Sequence, residues 1–362
     1  MSEAPPLRVL YHLPVLPPRH PTAEALAQEI AALRERFPGE LCYLNPNDRR
    51  PFVGNTRLRV PRLLFGWHRL PYIRRQEASI DLHHLYNPDP FAYPVLDQLR
   101  RPLVYSLTGG VTAAEPLPAA FRRYGAVTVY DEASLAALRA AGVARAFLVR
   151  TGIDTARFTV TPPPPPAPFH LLLASAPWTL AQFRTKGVVA LLEAVRAMPD
   201  LALTLLWRGV LAEEAQRAVA AAGLGARVTL IDATVDVNEL LSHVHATVVL
   251  AATPALVKAY PHSLLDGLAA GRPVLVSRAI PMSRFVEQSG CGEVVEDAPA
   301  GSAEPISTHA LLAAIDRLRS AYTARQAAAV RHRADFGLEQ MRADFANVYA
   351  AAVATGSRRQ TP

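Results

Sequence analysis

A run of five consecutive prolines, Pro162–Pro166, divides this 362-residue chain near its middle. Proline lacks a backbone N–H and fixes φ, so such a run joins neither a helix nor an inner strand. It forms a stiff extended connector instead. A chain of this length has room for two domains with separate cores. We therefore expect an N-terminal domain at 1–158, a proline-rich linker at 159–169 and a second domain that begins at 170.

Both halves repeat one pattern, in which short apolar segments alternate with helical segments. The predicted strands of the first half are Arg8–His12, Leu41–Leu44, Leu82–Tyr86, Leu103–Leu107, Val127–Tyr130 and Ala146–Val149. Those of the second half are His170–Ala174, Ala202–Leu206, Val228–Ile231, Thr247–Leu250, Val274–Val276 and Glu293–Val295. Apolar strands separated by helices indicate parallel sheets covered on both faces. The predicted fold class is α/β, with two Rossmann-like, doubly wound domains that face a cleft.

The helical segments complete this prediction. The main ones are 21–36, 131–141, 188–198, 212–222, 237–244, 263–270 and 282–288. From His309 to about Val353 the sequence is helical again, with a break at Phe336-Gly337. We assign 170–335 to the second domain and 336–362 to a C-terminal helix and tail, and one alternative is that this helix returns to the N-terminal domain.

Charge and motifs restrict the function classes. The net charge of +7 lies mostly in residues 1–158, which hold 20 basic and 14 acidic side chains. A basic half can serve a nucleic acid, an anionic membrane or an anionic substrate, or it can be a solvated arginine-rich surface. Cys42 and Cys291 lack the spacing of a zinc site. No signal peptide, membrane-spanning run, G-x-G-x-x-G or P-loop occurs, so we expect a cytoplasmic protein that is not a dinucleotide enzyme.

Lysine is almost absent from the chain. Of the 38 basic residues, 36 are arginine, and the two exceptions are Lys186 and Lys258. A lysine kept in an arginine-rich chain is a candidate for a site that needs a compact ammonium group, although codon bias can also leave two lysines.

The first lysine follows a predicted strand and directly precedes a helix, in the segment Arg184-Thr185-Lys186-Gly187. Arg184 and Lys186 can present two cations beside the helix amides, which together make a cradle for a diphosphate. An ordinary solvated loop with unremarkable charges is an equal alternative for this segment taken alone.

The second lysine lies upstream of a helix start that is suited to the same chemistry. Pro261 fits the first helical position. The N–H groups of His262, Ser263 and Leu264 would then be free at the positive end of the helix dipole. Asp266, one turn later, can accept hydrogen bonds from sugar or ribose hydroxyls, or it can merely favour the dipole.

Three segments resemble marks of a known family. They are Thr151-Gly152-Ile153-Asp154-Thr155-Ala156-Arg157-Phe158, then Lys186-Gly187, and Lys258-Ala259-Tyr260-Pro261-His262-Ser263-Leu264-Leu265-Asp266-Gly267-Leu268-Ala269-Ala270-Gly271-Arg272-Pro273-Val274. The patterns are Asn-Gly-Val-Asp-x-x-x-Phe, Lys-Gly, and two glutamates eight residues apart followed by Gly-x-Pro-Val. Together they resemble the retaining glycosyltransferases of family 4, which have the GT-B fold.

The resemblance implies transfer of a sugar, with retention of configuration, from a nucleoside-diphosphate donor to an unknown acceptor. Lys186 and Arg184 would neutralise the diphosphate, Asp266 would bind the ribose, and the backbone of Val228–Thr234 would contact the nucleobase. The implied donor-binding set is Gly187, Thr234, Tyr260, Pro261, His262, Ser263, Leu264 and Asp266. No cofactor and no metal would be strictly required, because cations and helix amides supply the stabilisation. The acceptor would be a small molecule, a glycan or a lipid-linked group.

Two positions depart from the family pattern. Lys258 replaces the acid that touches the donor sugar, and Thr108 stands where many relatives carry a histidine near the reacting sugar. We count both with Lys186 and Arg184 as candidate catalytic positions. Lys258 either pairs with an anionic group of an unusual donor, or it points to solvent or to Asp266. The departures also leave open a catalytically impaired homologue that binds a sugar nucleotide or glycan as a partner protein.

The candidates on the acceptor side lie in the first half. They are His20, Asn87 and Gly109. In relatives the turn after the third strand lies near the acceptor, and His83 and His84 precede that turn, although a strand histidine is often a core residue. Asp131 either caps a helix or belongs to the site.

One arginine-rich segment, 57–75, also contains leucine and aromatic residues. Such a segment can lie on an anionic membrane surface, which would suit a lipid-linked acceptor. We favour an amphipathic element whose Leu and Phe side chains pack on the sheet, because Pro61 and Pro71 limit a helix to about two turns. No nucleic acid is expected as a partner, since no recognised binding module is present.

Overall fold

The structure is a computed structural model that describes residues 6–15, 25–47, 60–111, 116–207, 211–299 and 301–358. The chain forms two compact units. Unit 1 is Met1–Gly152 together with Leu338–Pro362, and unit 2 is Ile153–Gly337. In the described part of the chain, no helix combines the length and the apolar character needed to cross a bilayer.

Parallel strands and helices alternate along both units. The strands are β1 (Val9–Leu13), β2 (Leu41–Tyr43), β3 (Leu82–Asn87), β4 (Leu103–Leu107), β5 (Ala126–Val129), β6 (Ala146–Leu148), β7 (Phe169–Leu173), β8 (Leu201–Leu206), β9 (Val228–Ile231), β10 (Ala246–Val249), β11 (Val274–Ser277) and β12 (Gly292–Val295). The helices are α1 (Ala25–Arg36), α2 (Leu70–Gln76), α3 (Glu132–Ala140), α4 (Gln182–Thr185), α5 (Val188–Ala197), α6 (Ala212–Ala221), α7 (Val237–Ser242), α8 (His262–Ala269), α9 (Met282–Ser289), α10 (Thr308–Ser320), α11 (Tyr322–His332) and α12 (Leu338–Arg358).

Unit 1 has a six-stranded sheet in the order β2-β1-β3-β4-β5-β6, and all neighbouring strands are parallel. One face packs against α1 and α12 through residues such as Leu33 and Phe345. The other face carries a second core that includes Phe65, Ile73 and Leu138. Because both faces are covered, neighbouring strand residues are buried alike.

The last helix, α12, belongs to unit 1. Tyr349 hydrogen-bonds through its hydroxyl to Nδ1 of His84 at 2.6 Å, and the other ring nitrogen of His84 hydrogen-bonds to Ser106 at 2.7 Å. Arg342 donates from Nε to the carbonyl of Ala32 in α1 at 3.0 Å. The N-terminal sheet is therefore completed by a helix from the far end of the chain.

Unit 2 has a six-stranded parallel sheet in the order β12-β11-β10-β7-β8-β9. This is the doubly wound order in which the first and fourth strands of the unit, β7 and β10, are neighbours. After β7 the chain continues to β8 on one side of this pair, and after β10 it continues to β11 on the other side. Ligands of such sheets bind beyond the carboxyl ends of these two strands.

The beginning of the proline-rich segment is attached to unit 2. Arg272 is fully buried and donates from Nε to the carbonyl of Leu241 at 2.9 Å. Its Nη2 donates to the carbonyl of Pro162 at 3.1 Å and also to the hydroxyl of Thr161. These acceptors offset part of the cost of burying the guanidinium. Residues from Ile153 onward accordingly cluster with unit 2, ahead of the prolines.

Both predicted parallel sheets are confirmed, and strand positions agree to within two residues. The helical tail has the predicted break at Phe336-Gly337, and a second break at Ala321 that was not predicted. The expected start of the first helix, 21–24, lies outside the described residues.

Candidate functional site

The loops after β7 and β10 meet in unit 2, where the sheet order predicts a ligand site. The two strands pair directly, with Thr247 opposite Leu172. The amide of Ala252, after β10, donates to the carbonyl of Thr185 at 2.8 Å, which joins the two loops. The first loop contains Lys186, and the second continues to Lys258 and α8.

Lys186 is a buried cation in the first loop. Its residue is only 4% exposed, and its Nζ donates to the carbonyl of Ala176 at 3.0 Å. No carboxylate among the described residues forms an ion pair with it. Burial lowers the pKa of Lys186 to about 8, since the ammonium has lost water without gaining an anion. An uncompensated buried ammonium favours an anion that arrives from outside the chain.

Gly187 follows Lys186 and begins α5 in a left-handed conformation, with φ of 73°. A Cβ at this position would lie 2.5 Å from Cδ1 of Leu250 and 2.6 Å from its Cβ. The Lys186 loop can therefore rest against the end of β10 only if the residue after the lysine is glycine.

Replacement of Gly187 with alanine is expected to destabilise unit 2 by roughly 2–4 kcal/mol, through left-handed strain and overlap with Leu250. Gly223→Ala is the matched control, because Gly223 has φ of 69° but no atom lies within 4 Å of its added Cβ. The control should lose only about 1 kcal/mol. Urea unfolding of the two variants measures the difference, and equal losses would contradict the close contact.

The other candidate segment is the start of α8. Pro261 is the N-cap residue, with φ −65° and ψ 126°, and not the first helical residue as predicted. Its carbonyl accepts from the amides of Leu264 and Leu265 at 3.0 and 3.2 Å. The prediction that the Leu264 amide is free is therefore wrong, because it donates to the carbonyl of the N-cap residue. The amides of the first turn that precede these bonds, such as that of Ser263, have no acceptor within the helix.

Lys258 lies close to this helix start. Its Nζ atom is buried, so the prediction that the side chain points to solvent is wrong. Burial lowers the pKa of His262 well below its usual value, and the nearby charge of Lys258 lowers it further. His262 is therefore a neutral imidazole at physiological pH, and the positive charge here comes from Lys258.

Residues in and just before α8 have structural contacts that hold the helix in place. Tyr260 is buried, and its ring packs against Phe336 at 5.5 Å. Asp266 is half-buried one turn into the helix. Gly267 lies so close to the hydroxyl of Thr247 in β10 that any side chain at 267 would overlap it. This close approach fixes α8 on the sheet, and with it the position of the helix start.

Two predicted donor residues lie on exposed parts of unit 2. Arg184 is exposed and donates to the carbonyl of Ala303 at 2.9 Å, whereas Lys186 donates to Ala176. The two cations thus have separate partners. Thr234 is exposed in the loop between β9 and α7. Their roles in donor binding stay predictions.

The candidate residues of unit 1 lie at the ends of β3 and β4. Thr108 is buried, and its amide donates to the carbonyl of Asn87 at 2.9 Å. Gly109 donates to the carbonyl of Pro88 at 3.1 Å. The side chain of Asn87 donates to Asp89 and to the hydroxyl of Tyr105 at 2.9 Å. These contacts shape the turn, and its role at an acceptor stays a prediction; His20 lies outside the described residues.

The strand histidines have structural partners. His83 lies between His12 at 3.0 Å and Glu77 at 3.2 Å. His84 is bound to Tyr349 and Ser106 and is fully buried. Both are therefore core residues, the second alternative left open by the sequence, because parallel strands with both faces covered bury successive residues. Asp131 is a helix cap, since it accepts from the amide of Ser134 at 2.8 Å.

Sequence reasoning missed two features beside Lys186. The carbonyl of Ala176 holds the ammonium in place, and a backbone acceptor has no sequence signature. Trp178, in the same loop, is 72% exposed, although a tryptophan near a buried loop is more often a core residue. Its amide donates to the side chain of Gln182 at 2.7 Å.

Known protein structures share this architecture. No family profile and no curated protein matches the sequence. The Anabaena protein Alr3699/HepE, solved in complex with UDP and glucose, superposes with a TM-score of 0.67 at 16% identity, over 95% of this chain and 100% of that chain. Sucrose-phosphate synthase from Thermosynechococcus elongatus gives 0.69 at 16% identity, over 96% of this chain and 100% of that one.

A glycosyltransferase from Rickettsia africae is similar to the same extent, with a TM-score of 0.67 at 13% identity over 96% and 99% of the two chains. Identities this low establish a shared fold and nothing further. The chain therefore has the two-domain α/β fold of these glycosyltransferases, known as GT-B.

Proposed function

We propose that this protein is a glycosyltransferase that takes a sugar from a nucleoside-diphosphate donor held by unit 2. The observation that carries the proposal is the buried ammonium of Lys186, which has a backbone carbonyl as its partner and no described carboxylate. A chain tolerates a buried, unneutralised cation at a cost in stability, and binding of a diphosphate removes that cost.

The position of Lys186 supports this proposal. It lies beyond the carboxyl end of β7, and its loop is hydrogen-bonded to the loop that follows β10. This is the place where doubly wound sheets bind nucleotides. The start of α8 adds helix amides and a positive dipole end, and both attract phosphate. The similar Anabaena protein HepE has been solved with UDP and with UDP-glucose.

The chemistry follows from these charges. As the bond between the sugar and the diphosphate breaks, negative charge develops on the departing phosphate oxygen and positive charge on the sugar ring. Lys186 and the first amides of α8 stabilise the leaving diphosphate without a metal ion. We assign Asp266 to the ribose hydroxyls, as the resemblance to retaining family-4 enzymes implies, and we propose that transfer proceeds with retention. Lys258 then contacts an anionic group on the donor.

Calorimetric titration with UDP, GDP, ADP, dTDP and CDP tests the proposal. We expect one of them to bind, and to stabilise the protein by about 2.7 kcal/mol at a hundredfold excess over its Kd. Sugars linked to that nucleotide are then assayed for release of the diphosphate, and NMR of the product reports the anomeric configuration. The proposal fails if none of the five binds.

The affinity for the diphosphate is expected to decline above about pH 8, because free Lys186 then loses its proton. The logarithm of Kd should rise by about one for each pH unit above that value, while the diphosphate itself is already ionised. Lys186→Arg is the matched variant, since its guanidinium keeps its charge and its curve should stay flat. Coincident curves for the two proteins would show that Lys186 does not hold the anion.

A further inference from the structure

Three large apolar side chains face solvent on one short segment of unit 1. Leu63 is 57% exposed, Leu64 is 53% exposed and Trp67 is 40% exposed. They lie on two neighbouring 3-10 helices, Arg62–Leu64 and Trp67–Arg69. The prediction that the leucines of this segment pack on the sheet is therefore wrong for Leu63 and Leu64, whereas Leu70 packs against the core.

The outward position of these side chains is fixed by the residues between them. Phe65 is buried and stacks on Tyr93 with ring centroids 6.3 Å apart. Gly66 has φ of 86° and donates its amide to the carbonyl of Leu44 at 2.8 Å. A Cβ at Gly66 would lie 2.7 Å from Cγ1 of Val95, so the backbone is held against the core here. Because Phe65 is the side chain that enters the core here, Leu63, Leu64 and Trp67 remain at the surface.

Arg62 anchors the same segment from its other end. It donates to both carboxylate oxygens of Asp89, each at 2.6 Å, and its guanidinium lies 4.2 Å from the ring centre of Phe91. A bidentate pair of this kind has a defined geometry. These contacts join the segment to the turn after β3.

The charge of the whole chain is concentrated in this region of the sequence. Residues 49–76 contain eight arginines and no aspartate or glutamate. Since the net charge of the chain is +7, the other 334 residues together have a net charge of −1. The excess positive charge and the exposed apolar side chains thus belong to the same stretch of the sequence.

Two of the described arginines in this region remain available. Arg62 is paired with Asp89, and Arg74 is paired with Glu77 at 3.1 Å. Arg69 and Arg75 are exposed, and neither forms an ion pair with a described carboxylate. We call the set Leu63, Leu64, Trp67, Arg69 and Arg75 the Trp67 surface.

We propose that the Trp67 surface docks the protein on a lipid bilayer that carries anionic headgroups. Leucine and tryptophan side chains enter the boundary between headgroups and acyl chains, while the guanidinium groups stay at the phosphate level. Each arginine near an anionic surface adds about 1 kcal/mol of attraction. A nucleic acid would use the same arginines but would gain nothing from two outward leucines. This inference does not depend on the proposed function.

Co-sedimentation with vesicles tests the docking surface. We expect the full-length protein to pellet at low salt with phosphatidylcholine vesicles that contain phosphatidylglycerol, and much less with phosphatidylcholine alone. The triple variant L63S/L64S/W67S should lose at least about tenfold in partitioning. R69Q/R75Q should lose roughly thirtyfold at low salt and little at high salt.

Matched controls use exposed side chains of unit 2. W178S removes a tryptophan that is 72% exposed, and R157Q/R331Q removes two exposed arginines. Both controls should sediment as the unaltered protein does. Thermal unfolding checks that each variant is folded at the temperature of the sedimentation assay, because Trp67 and the two leucines are partly buried.

Brominated phospholipid provides a second readout that a purely electrostatic contact would not give. It should quench the fluorescence of Trp67, and the quenching should be lost in W67F and kept in W178F. The proposal is overturned if the protein does not pellet with anionic vesicles, if the triple variant pellets equally well, or if duplex oligonucleotides bind at a salt concentration at which vesicles do not.

Discussion

Replacement of Lys186 with methionine is expected to raise the stability of the free protein and to abolish its stabilisation by nucleoside diphosphates. Burial lowers the pKa of this lysine from 10.5 to about 8, which corresponds to a penalty of roughly 3 kcal/mol on the charged form. This penalty applies below about pH 8 and is relieved as the pH rises towards 10.5. Methionine fills a similar volume without the charge, and it forfeits about 1 kcal/mol of hydrogen bonding to Ala176.

The net expected gain is therefore about 2 kcal/mol at neutral pH. Urea unfolding with and without the diphosphate measures both effects on one sample. Leu192→Met is the matched control, because Leu192 is buried on α5 and carries no charge. It should leave ligand stabilisation intact. If Lys186→Met is stabilised by the diphosphate as much as the unaltered protein, Lys186 is not the anion site.

The protein is expected to lose stability steeply in mild acid. Burial lowers the pKa of His12 and of His84 well below the usual value, and that of His262 falls for the same reason. An unfolded histidine has a pKa of about 6.5, so below that pH the unfolded chain binds protons that the folded chain does not. The stability contribution of the neutral rings is complete above about pH 6.5 and is lost as the pH falls towards the folded-state values.

Each such histidine can contribute up to about 1.4 kcal/mol per pH unit below the unfolded-state pKa, so we expect a marked loss of stability between about pH 6 and pH 5. Urea unfolding across this range measures the slope. His12→Gln keeps a donor for Nδ1 of His83 and should make the slope shallower. His309, on the solvent side of α10, serves as the control, and His309→Gln should not change it. A slope near zero in the unaltered protein would contradict the assignment of neutral buried rings.

The architecture could be predicted from sequence because its signals are periodic and local. Runs such as Leu103–Leu107 and Val274–Val276 are apolar on both faces, and only a sheet covered on both sides buries them. The same argument applies to His83 and His84. When both faces are covered, polar residues within a strand are core residues with internal partners, whichever way they point.

The site could be predicted only in part, since some of its contacts are not encoded in residue type. The pairing of Lys186 with Gly187 indicated a phosphate loop, and the structure places that loop at the point where the sheet order changes. The partner of Arg184 is a backbone carbonyl far along the chain, which no spacing predicts. The start of α8 was misplaced because proline fits both the N-cap and the first helical position.

The exposure of Leu63 and Leu64 could not be predicted from the sequence either. Leu63, Leu64 and Phe65 form one apolar run, and period alone cannot say that only Phe65 turns inward. The turn at Gly66 decides this, through its left-handed backbone and its contact with Val95.

A crystal structure with the nucleoside diphosphate of highest affinity tests the central claim most directly. The claim predicts phosphate oxygens within hydrogen-bonding distance of Nζ of Lys186 and of the first amides of α8. Density for the diphosphate elsewhere on the protein, with Lys186 still bound only to the carbonyl of Ala176, would contradict it.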